Sequence, residues 1–421
     1  MRALILSTTT GYQLRSFGEA AQRTGIDLMF ATDRCHRLDD PWRDAAVAVR
    51  FHEEEASLEA IVKAAAAAPI DGVIAVGDRP VVLAARAAQA LGLRGNPPAG
   101  AAASVNKHLS RAAFARAALS VPWFFEVDST GAIVADPRVA YPCVVKPLGL
   151  SGSRGVIRAN TSDELAAAVA RLRALLSRQD VRAIRSGLDD RIIVEGFIEG
   201  REYAIEGVLT DGTFGVFAIF DKPDPLDGPF FEETIYVTPS TLPADRQALL
   251  IEYVSRAARS LGLVNGPVHA ECRLGEGGVF MLEVAARPIG GLCSKVLRFS
   301  GGEESGGATL EDVLLRHAVG EDVSRYRREP QAAGVMMIPI PHRGILKKVR
   351  GAESAAAVPG IEEVRITAKT DQLLEPLPEA ASYLGFIFAR GADAPSVVSA
   401  LTEGHARLRF EIAPPIAVRV G

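Results

Sequence analysis

Between Val268 and Arg287 two carboxylates and two guanidiniums recur in one alternating phase, and these are side chains that hold a hard cation or a phosphate. The stretch reads as two short strands folded about Gly275-Glu276-Gly277-Gly278. Alternation puts Val268, Ala270, Cys272, Phe280, Leu282 and Val284 on one face. The other face carries His269, Glu271, Arg273, Met281, Glu283 and Ala285, with Arg287 following in phase. With a loop spanning Gly275 to Val279, Glu271 lies directly opposite Glu283. Like charges facing each other across a ladder are destabilising unless a cation sits between them, so the pair points to Mg²⁺. Any antiparallel sheet with one solvated face shows the same alternation, and features elsewhere must decide between the two readings.

A second group of residues suits phosphate. Tyr141-Pro-Cys-Val-Val-Lys146-Pro147 is a strand ending in a lysine, and Gly149-Leu-Ser151-Gly152-Ser153-Arg-Gly155 follows at once. Glycines let backbone N–H groups turn inward as an anion nest and the ammonium adds a point charge; the competing reading is a flexible hairpin turn. No Gly-Lys-Ser/Thr is present and no helix opens here, so the loop is not a P-loop. Upstream, Ser104 to Leu119 reads as a helix with Lys107 and Arg111 on one face, where cations are ordinarily solvated. Downstream, strand Arg191–Glu195 leads through the bend Gly196-Phe197-Ile198-Glu-Gly200 into strand Arg201–Leu209. Such a bend can offer backbone groups to an adenine edge, and Glu202 can accept from ribose hydroxyls; ordinary strand charges are the plainer reading. Asp221 to Pro239, with Glu233 and Tyr236, is too long for a structureless connection and too aromatic for disorder, so it reads as a substrate loop. After the hairpin, Arg287-Pro-Ile-Gly290-Gly291-Leu-Cys-Ser-Lys295 adds a cation and two glycines.

These residues need elements to hold them. Strand and helix alternate from Arg2 to Gly92: strands Arg2–Ser7, Asp27–Ala31 and Asp71–Val76, and helices about Leu14–Ala21, Ser57–Ala68 and Pro80–Leu91. That pattern predicts a parallel α/β domain over residues 1–100, with Leu93 to Gly100 as linker by composition. The turn at Gly11 lacks Gly-x-Gly-x-x-Gly, so no dinucleotide site is expected there. Residues 101–325 then mix strands with helices at Thr161–Leu176, Pro243–Leu261 and Leu310–Val319, with a capping box expected at Thr161 and Glu164 and a polar loop over Arg178 to Asp190. From about Gln331 strands with short turns and a helix over Asp393 to Gly404 predict a separate α+β domain, 326–421, acting as a wall or lid. The fold class is thus α/β and α+β, multidomain.

Composition excludes several classes. At 421 residues, 48% hydrophobic and 23% charged, the chain is an ordinary globular composition with room for several cores. A net charge of −4 without a basic run argues against a general nucleic-acid binder. The apolar run Ala3 to Leu6 is too short for a signal segment and no 18-residue apolar stretch occurs, so a cytoplasmic protein without a membrane partner is expected. Cys35, Cys143, Cys272 and Cys293 are far apart and read as reduced, mostly buried residues.

Taken in order, Lys107, the Val-Val-Lys146-Pro strand with its Gly/Ser loop, Val-Glu195-Gly-Phe-Ile-Glu-Gly-Arg-Glu202-Tyr, and Glu271, Glu283 and Arg287 closely resemble the ATP-grasp superfamily over about residues 100 to 325. The resemblance implies a central fold of two α+β subdomains clasping ATP. It implies phosphate contacts from Lys107 and Lys146, with Ser151, Gly152, Ser153 and Gly155 closing over them. It also implies adenine contacts from Glu195, Phe197 and Ile198, ribose at Glu202, Mg²⁺ (or Mn²⁺) at Glu271 and Glu283, and Arg287 stabilising the transferred phosphoryl group. Where that superfamily usually has Glu-x-Asn-x-Arg, this chain has Glu283-Val-Ala285-Ala-Arg287, so the Asn contact to metal is missing. In this departure, and in Phe231-Glu-Glu-Thr-Ile-Tyr-Val-Thr-Pro-Ser240 and the Tyr-Leu-Gly of its C-terminal region, the chain looks similar to bacterial L-amino acid ligases. That likeness implies Glu233 at a substrate amino group and Arg287 at its carboxylate, with Tyr236, His269, Gly290 and Gly291 lining the substrate. It implies small-molecule partners, amino acids or related acids and amines, and admits a homodimer. The implied reaction is acylphosphate formation from a carboxylate and ATP, followed by amide formation. A biotin-carboxylase-like or purine-pathway enzyme is the alternative within the superfamily, and an ATP-binding scaffold or sensor without turnover is the alternative outside enzymes.

Overall fold

A computed structural model describes residues 1–8, 13–33, 46–131, 133–301, 307–380 and 382–415, so Gly11 and Cys35 lie outside the described residues. The chain divides into two compact units. The first comprises residues 1–121, 203–219 and 242–329, the second 122–202, 220–241 and 330–421.

The first unit opens with a four-stranded parallel sheet in the order Val47–Ala48, Asp27–Thr32, Arg2–Ser7, Gly72–Val76. In its strand Arg2–Ser7 the run Ala3 to Leu6 is apolar and fully buried, as a strand covered on both faces requires. Helices Leu14–Thr24, Glu54–Ala67 and Val81–Ala90 complete the expected α/β pattern. A distant helix, Leu310–Ala318, joins them: a Cβ on Gly72 would fall 2.2 Å from the Ala318 carbonyl oxygen, and Arg23 pairs with the buried Asp312 at 3.1 Å. Strands Thr213–Asp221, Arg201–Thr210, Gly266–Gly275 and Gly278–Ala285 lie side by side in that order, backed by helix Ala244–Leu261. The strand Thr213–Asp221 is absent from the sequence reading, where the exposed start Thr213-Phe-Gly-Val masks its buried end.

The helix expected over Ser104 to Leu119 is two helices, Pro98–Val105 and Lys107–Arg116. Asn106 breaks it: extended at φ −112°, its side chain accepts from the amides of His108 and Leu109 at 3.0 and 3.1 Å. The linker composition of Leu93 to Gly100 likewise gives way to a helix at Pro98, a favoured residue for the first helical turn.

In the second unit, Phe124–Asp128, Arg191–Gly196, Cys143–Pro147 and Ile157–Ala159 form an antiparallel sheet, packed by helix Ser162–Leu176. Thr161 caps that helix through the Glu164 amide, but the Glu164 carboxylate takes the amide of Asn160, one residue before the cap, so the capping box is not closed. The polar stretch after it holds a one-turn helix, Gln179–Arg182. Ile235–Thr238, inside the expected substrate loop, is a buried strand; Ala332–Ile338, Gly385–Gly391 and Ile361–Ile366 follow it in order, covered by helix Ala394–Ala406. A three-stranded sheet, Leu373–Leu374, Gly344–Arg350 and Arg409–Ala413, completes the unit. Cys143, Cys272 and Cys293 are free and buried. Among the described residues no helix is long and apolar enough to cross a membrane.

Candidate functional site

In the first unit the hairpin places Glu271 opposite Glu283. The route differs from the five-residue loop expected. The turn is tight, with Gly275 paired to Gly278, and a bulge between Glu271 and Cys272 shifts the register so that Leu282 has no partner. Nearer the turn Cys272 therefore pairs with Met281, which is fully buried with Val268, Ala270 and Val284. Phe280 and Leu282, expected on the core face, are only half-buried.

Burial makes the polar face costly unless it is compensated. Glu206 is fully buried and accepts from His269 Nδ1 and from the Ile289 amide, each at 3.1 Å, while His269 Nε2 lies 3.6 Å from Glu271. Burial disfavours the imidazolium, but hydrogen bonds to Glu206 and Glu271 prevail and raise the His269 pKa to about 9. Burial raises Glu206 itself. Gln13 donates to the Ile289 carbonyl, so the segment after Arg287 is held from two sides. Within it Gly291 adopts φ +61°, while Gly290 is exposed with open space where a Cβ would stand. Arg287 Nε donates to Asp78 Oδ1 at 2.7 Å, and its Nη2 lies 3.6 Å from Glu283. Burial opposes the charge of Arg287, but the Asp78 and Glu283 carboxylates outweigh this and raise its pKa. Desolvation raises Glu283, Asp78 and Glu271 adding to the shift, while Arg287 and Lys107 oppose it. Two facing carboxylates that repel, with oxygen as the only donor atom, suit a hard dication such as Mg²⁺. Ala285, where an Asn would be a third contact, is buried and pairs with His269 in the ladder.

The second unit holds the other sequence-predicted residues. Lys146 and Glu195 lie diagonally on one sheet face, and Lys146 Nζ is 2.5 Å from the buried Glu195 carboxylate. In the following loop Gly152, Ser153 and Gly155 have φ of +63°, +57° and +75°. Ser151 and Gly152 are exposed, Gly155 is buried and donates to the Pro378 carbonyl at 2.9 Å, and Arg154 donates to the Glu379 carbonyl at 2.7 Å. At the bend, Phe197 stacks on Phe231 with 6.4 Å between centroids and carries the Arg158 guanidinium over its face, while Ile198 is buried. Lys222, unremarked in the sequence, is buried and bonds Glu202 at 2.7 Å and Glu233 at 2.6 Å, with its Nζ 4.7 Å from the Tyr236 ring centroid. Tyr236 itself is buried in the strand Ile235–Thr238. Replacing Lys222 by Met would leave two carboxylates facing each other with little solvent, a loss of about 3–5 kcal/mol. A urea-unfolding series measures this, and an unshifted midpoint would show that the triad contributes nothing to folding.

Three family models match the chain: the ATP-grasp N-terminal domain over residues 18–95, the ATP-grasp domain over 139–296, and the L-amino acid ligase C-terminal domain 2 over 336–413. The chain belongs to the ATP-grasp superfamily. Its fold is the mixed α/β ATP-grasp fold, and ATP-grasp enzymes generally use ATP and Mg²⁺. The structure of L-amino acid ligase from Bacillus licheniformis superposes with a TM-score of 0.81 at 27% identity, covering 98% of this chain and 99% of that one. Among sequence relatives, the ATP-grasp enzyme fsqD of Aspergillus fumigatus is 29% identical over 61% of this chain and 46% of its own length. Alanine–anticapsin ligase of Bacillus subtilis is 30% identical over 52% of this chain and 49% of its own length. The chain thus spans about half the length of these two relatives.

Four functional candidates of this ATP-grasp chain escaped the sequence reading. Asp78 stands just past the strand Gly72–Val76, where open parallel sheets bind ligands, and that position was its one signal. Glu206 shares the alternation of Glu202, and Lys222 follows an apolar run and Asp221, but neither pattern names a partner. Arg111, expected in solvent, is 2% exposed.

Proposed function

We propose that the chain is an ATP-dependent carboxylate–amine ligase that joins amino acids. The carboxylate of one substrate attacks the γ-phosphate of ATP, giving an acylphosphate and ADP, and the amine of the second displaces phosphate to form an amide. The observation that carries the reading is the polar hairpin face, where Glu271 and Glu283 oppose each other and Arg287 is held beside them by Asp78. The C-terminal match to the L-amino acid ligase domain and the likeness to the Bacillus licheniformis ligase support amino acids as the substrate class.

In this reading Glu271 and Glu283 hold Mg²⁺, which, when bound, offsets the charge of the phosphates. Lys107 and Lys146 contact the phosphates, and the loop from Ser151 to Gly155 covers them; its left-handed residues turn amides toward an anion. Glu195, Phe197 and Ile198 meet adenine, and Glu202 meets ribose. Lys222 neutralises half the charge of Glu202 and Glu233, so the triad keeps one net negative charge for a substrate ammonium facing Glu233. Arg287 takes the substrate carboxylate and the charge of the moving phosphoryl group, and His269, Gly290 and Gly291 line that side. No covalent nucleophile is needed, so positioning and electrostatics carry the catalysis.

Phosphate and ADP release with Mg²⁺ over a panel of paired amino acids tests the reading. Release that requires both amino acids, with a dipeptide found by mass spectrometry, is expected. Release driven by bicarbonate alone would overturn it in favour of a carboxylase, and ATP binding without turnover under every pairing would favour a scaffold.

A further inference from the structure

The bulge in the hairpin requires a residue to hold it, and one is in place. The strand Gly278–Ala285 is the edge of its sheet and the bulge leaves Leu282 without a ladder partner, so buried carbonyls here need donors from outside the ladder. Arg111 Nη1 donates to the Met281 carbonyl at 3.0 Å and to the Leu282 carbonyl at 2.9 Å. Its guanidinium comes from helix Lys107–Arg116, whose start is fixed by Asn106, and it is 2% exposed. Lys107, one turn earlier on that helix, adds its charge to the field at Glu283.

The contact falls where the register shifts. From the tight turn a regular ladder would continue Cys272 to Met281 with Glu271 to Leu282, and Glu283 would fall opposite Ala270, on the core face. The extra residue restores Glu271 opposite Glu283. We propose that Arg111 is a positioning residue: by donating to the Met281 and Leu282 carbonyls at the bulge it fixes the register that turns Glu283 toward Glu271, and through that register it sets metal affinity. The inference rests on the reading of Glu271 and Glu283 as metal ligands.

Deleting Leu282 supplies the decisive comparison, because the shortened strand keeps Glu271 opposite Glu283 in a regular ladder that has no bulge to hold. Mn²⁺ is titrated into the full chain at saturating ADP by electron paramagnetic resonance, alongside hydrogen exchange of the 278–285 amides and thermal melting. Arg111→Met is expected to weaken Mn²⁺ about ten- to a hundredfold and to loosen those amides, the range seen when the groups orienting metal ligands are removed. Arg111→Lys, which retains a donor, should recover part of the loss. In the Leu282-deleted chain Arg111→Met should cost far less, and Mn²⁺ affinity should stay near that of the deletion alone. A folded Arg111→Met chain with unchanged affinity and exchange would overturn the proposal, as would an undiminished loss in the deletion background. If Arg111→Met alone does not fold, folding and Mn²⁺ binding of the double variant support the proposal, and failure of both to fold overturns it. Glu283→Gln separates the two claims: unchanged Mn²⁺ affinity there removes the metal assignment and with it the role in metal affinity, while hydrogen exchange in Arg111→Met still reads the register.

Discussion

Glu283→Gln is expected to lower Mg²⁺-dependent ADP release at least about a hundredfold while leaving the thermal midpoint unchanged or higher, since a metal ligand contributes several kcal/mol to the transition state and each 1.4 kcal/mol is tenfold. The two outcomes share one cause. Desolvation and the carboxylates of Asp78 and Glu271 raise the pKa of Glu283, so in the apo protein its negative charge is a burden that Arg287 and Lys107 only partly offset. Its side chain is 37% exposed, so solvent screens much of that burden and the gain in stability from a neutral isostere is small. Glutamine keeps the shape and one acceptor oxygen and removes the repulsion, so the fold does not suffer. It also removes the charge that would bind the cation. Steady-state kinetics against Mg²⁺ concentration and a thermal melt read both effects; near-normal turnover would take the hairpin out of the site.

How far the sequence reveals this arrangement depends on the range of the interaction. The parallel sheet is legible because Ala3 to Leu6 is an unbroken apolar run and the helices after it have clear periodicity. Glu271 and Glu283 are legible because a strand's period of two puts them on one face. Their pairing, however, is reached from the sequence through a five-residue loop and in the structure through a tight turn plus a bulge, two routes with the same sum of positions. Leu282 carries no mark of being the extra residue, since leucine suits either face. What settles it is Arg111, about 170 positions away, which is indistinguishable in sequence from any solvated helix cation. Asp78 lies 209 positions from Arg287, and only the packing of the first unit makes them partners. Lys222 is hidden differently: in sequence Glu202 suits ribose and Glu233 suits a substrate, each by itself, and only the fold, with Lys222 just past the strand Thr213–Asp221, brings a buried cation between them.

Arg287→Lys separates charge from geometry at the centre of the proposed chemistry. Arginine presents a planar fork whose Nε is taken by Asp78 at 2.7 Å and whose Nη1 donates to the Pro288 carbonyl at 3.1 Å, leaving Nη2 aimed along the hairpin edge at 3.6 Å from Glu283. Orientation is therefore set by bonds that the substrate does not need, which is the preorganisation that makes a donor effective against charge developing in a transition state. Lysine keeps the charge but is a single point with rotating donors and cannot bond Asp78 while facing the hairpin edge. If the charge alone sufficed, Arg287→Lys would stay within about tenfold of wild type, the equivalent of 1.4 kcal/mol. The fixed fork predicts instead a fall of about a hundred- to a thousandfold in kcat, the range for removing one preorganised donor. Asp78→Asn, which keeps an acceptor for Nε, should lose less than Arg287→Lys, because the fork remains and only its charge-assisted hold is weakened. The reverse order of the two losses in single-turnover acylphosphate formation would mean that Asp78 acts on the substrates directly and Arg287 merely supports it.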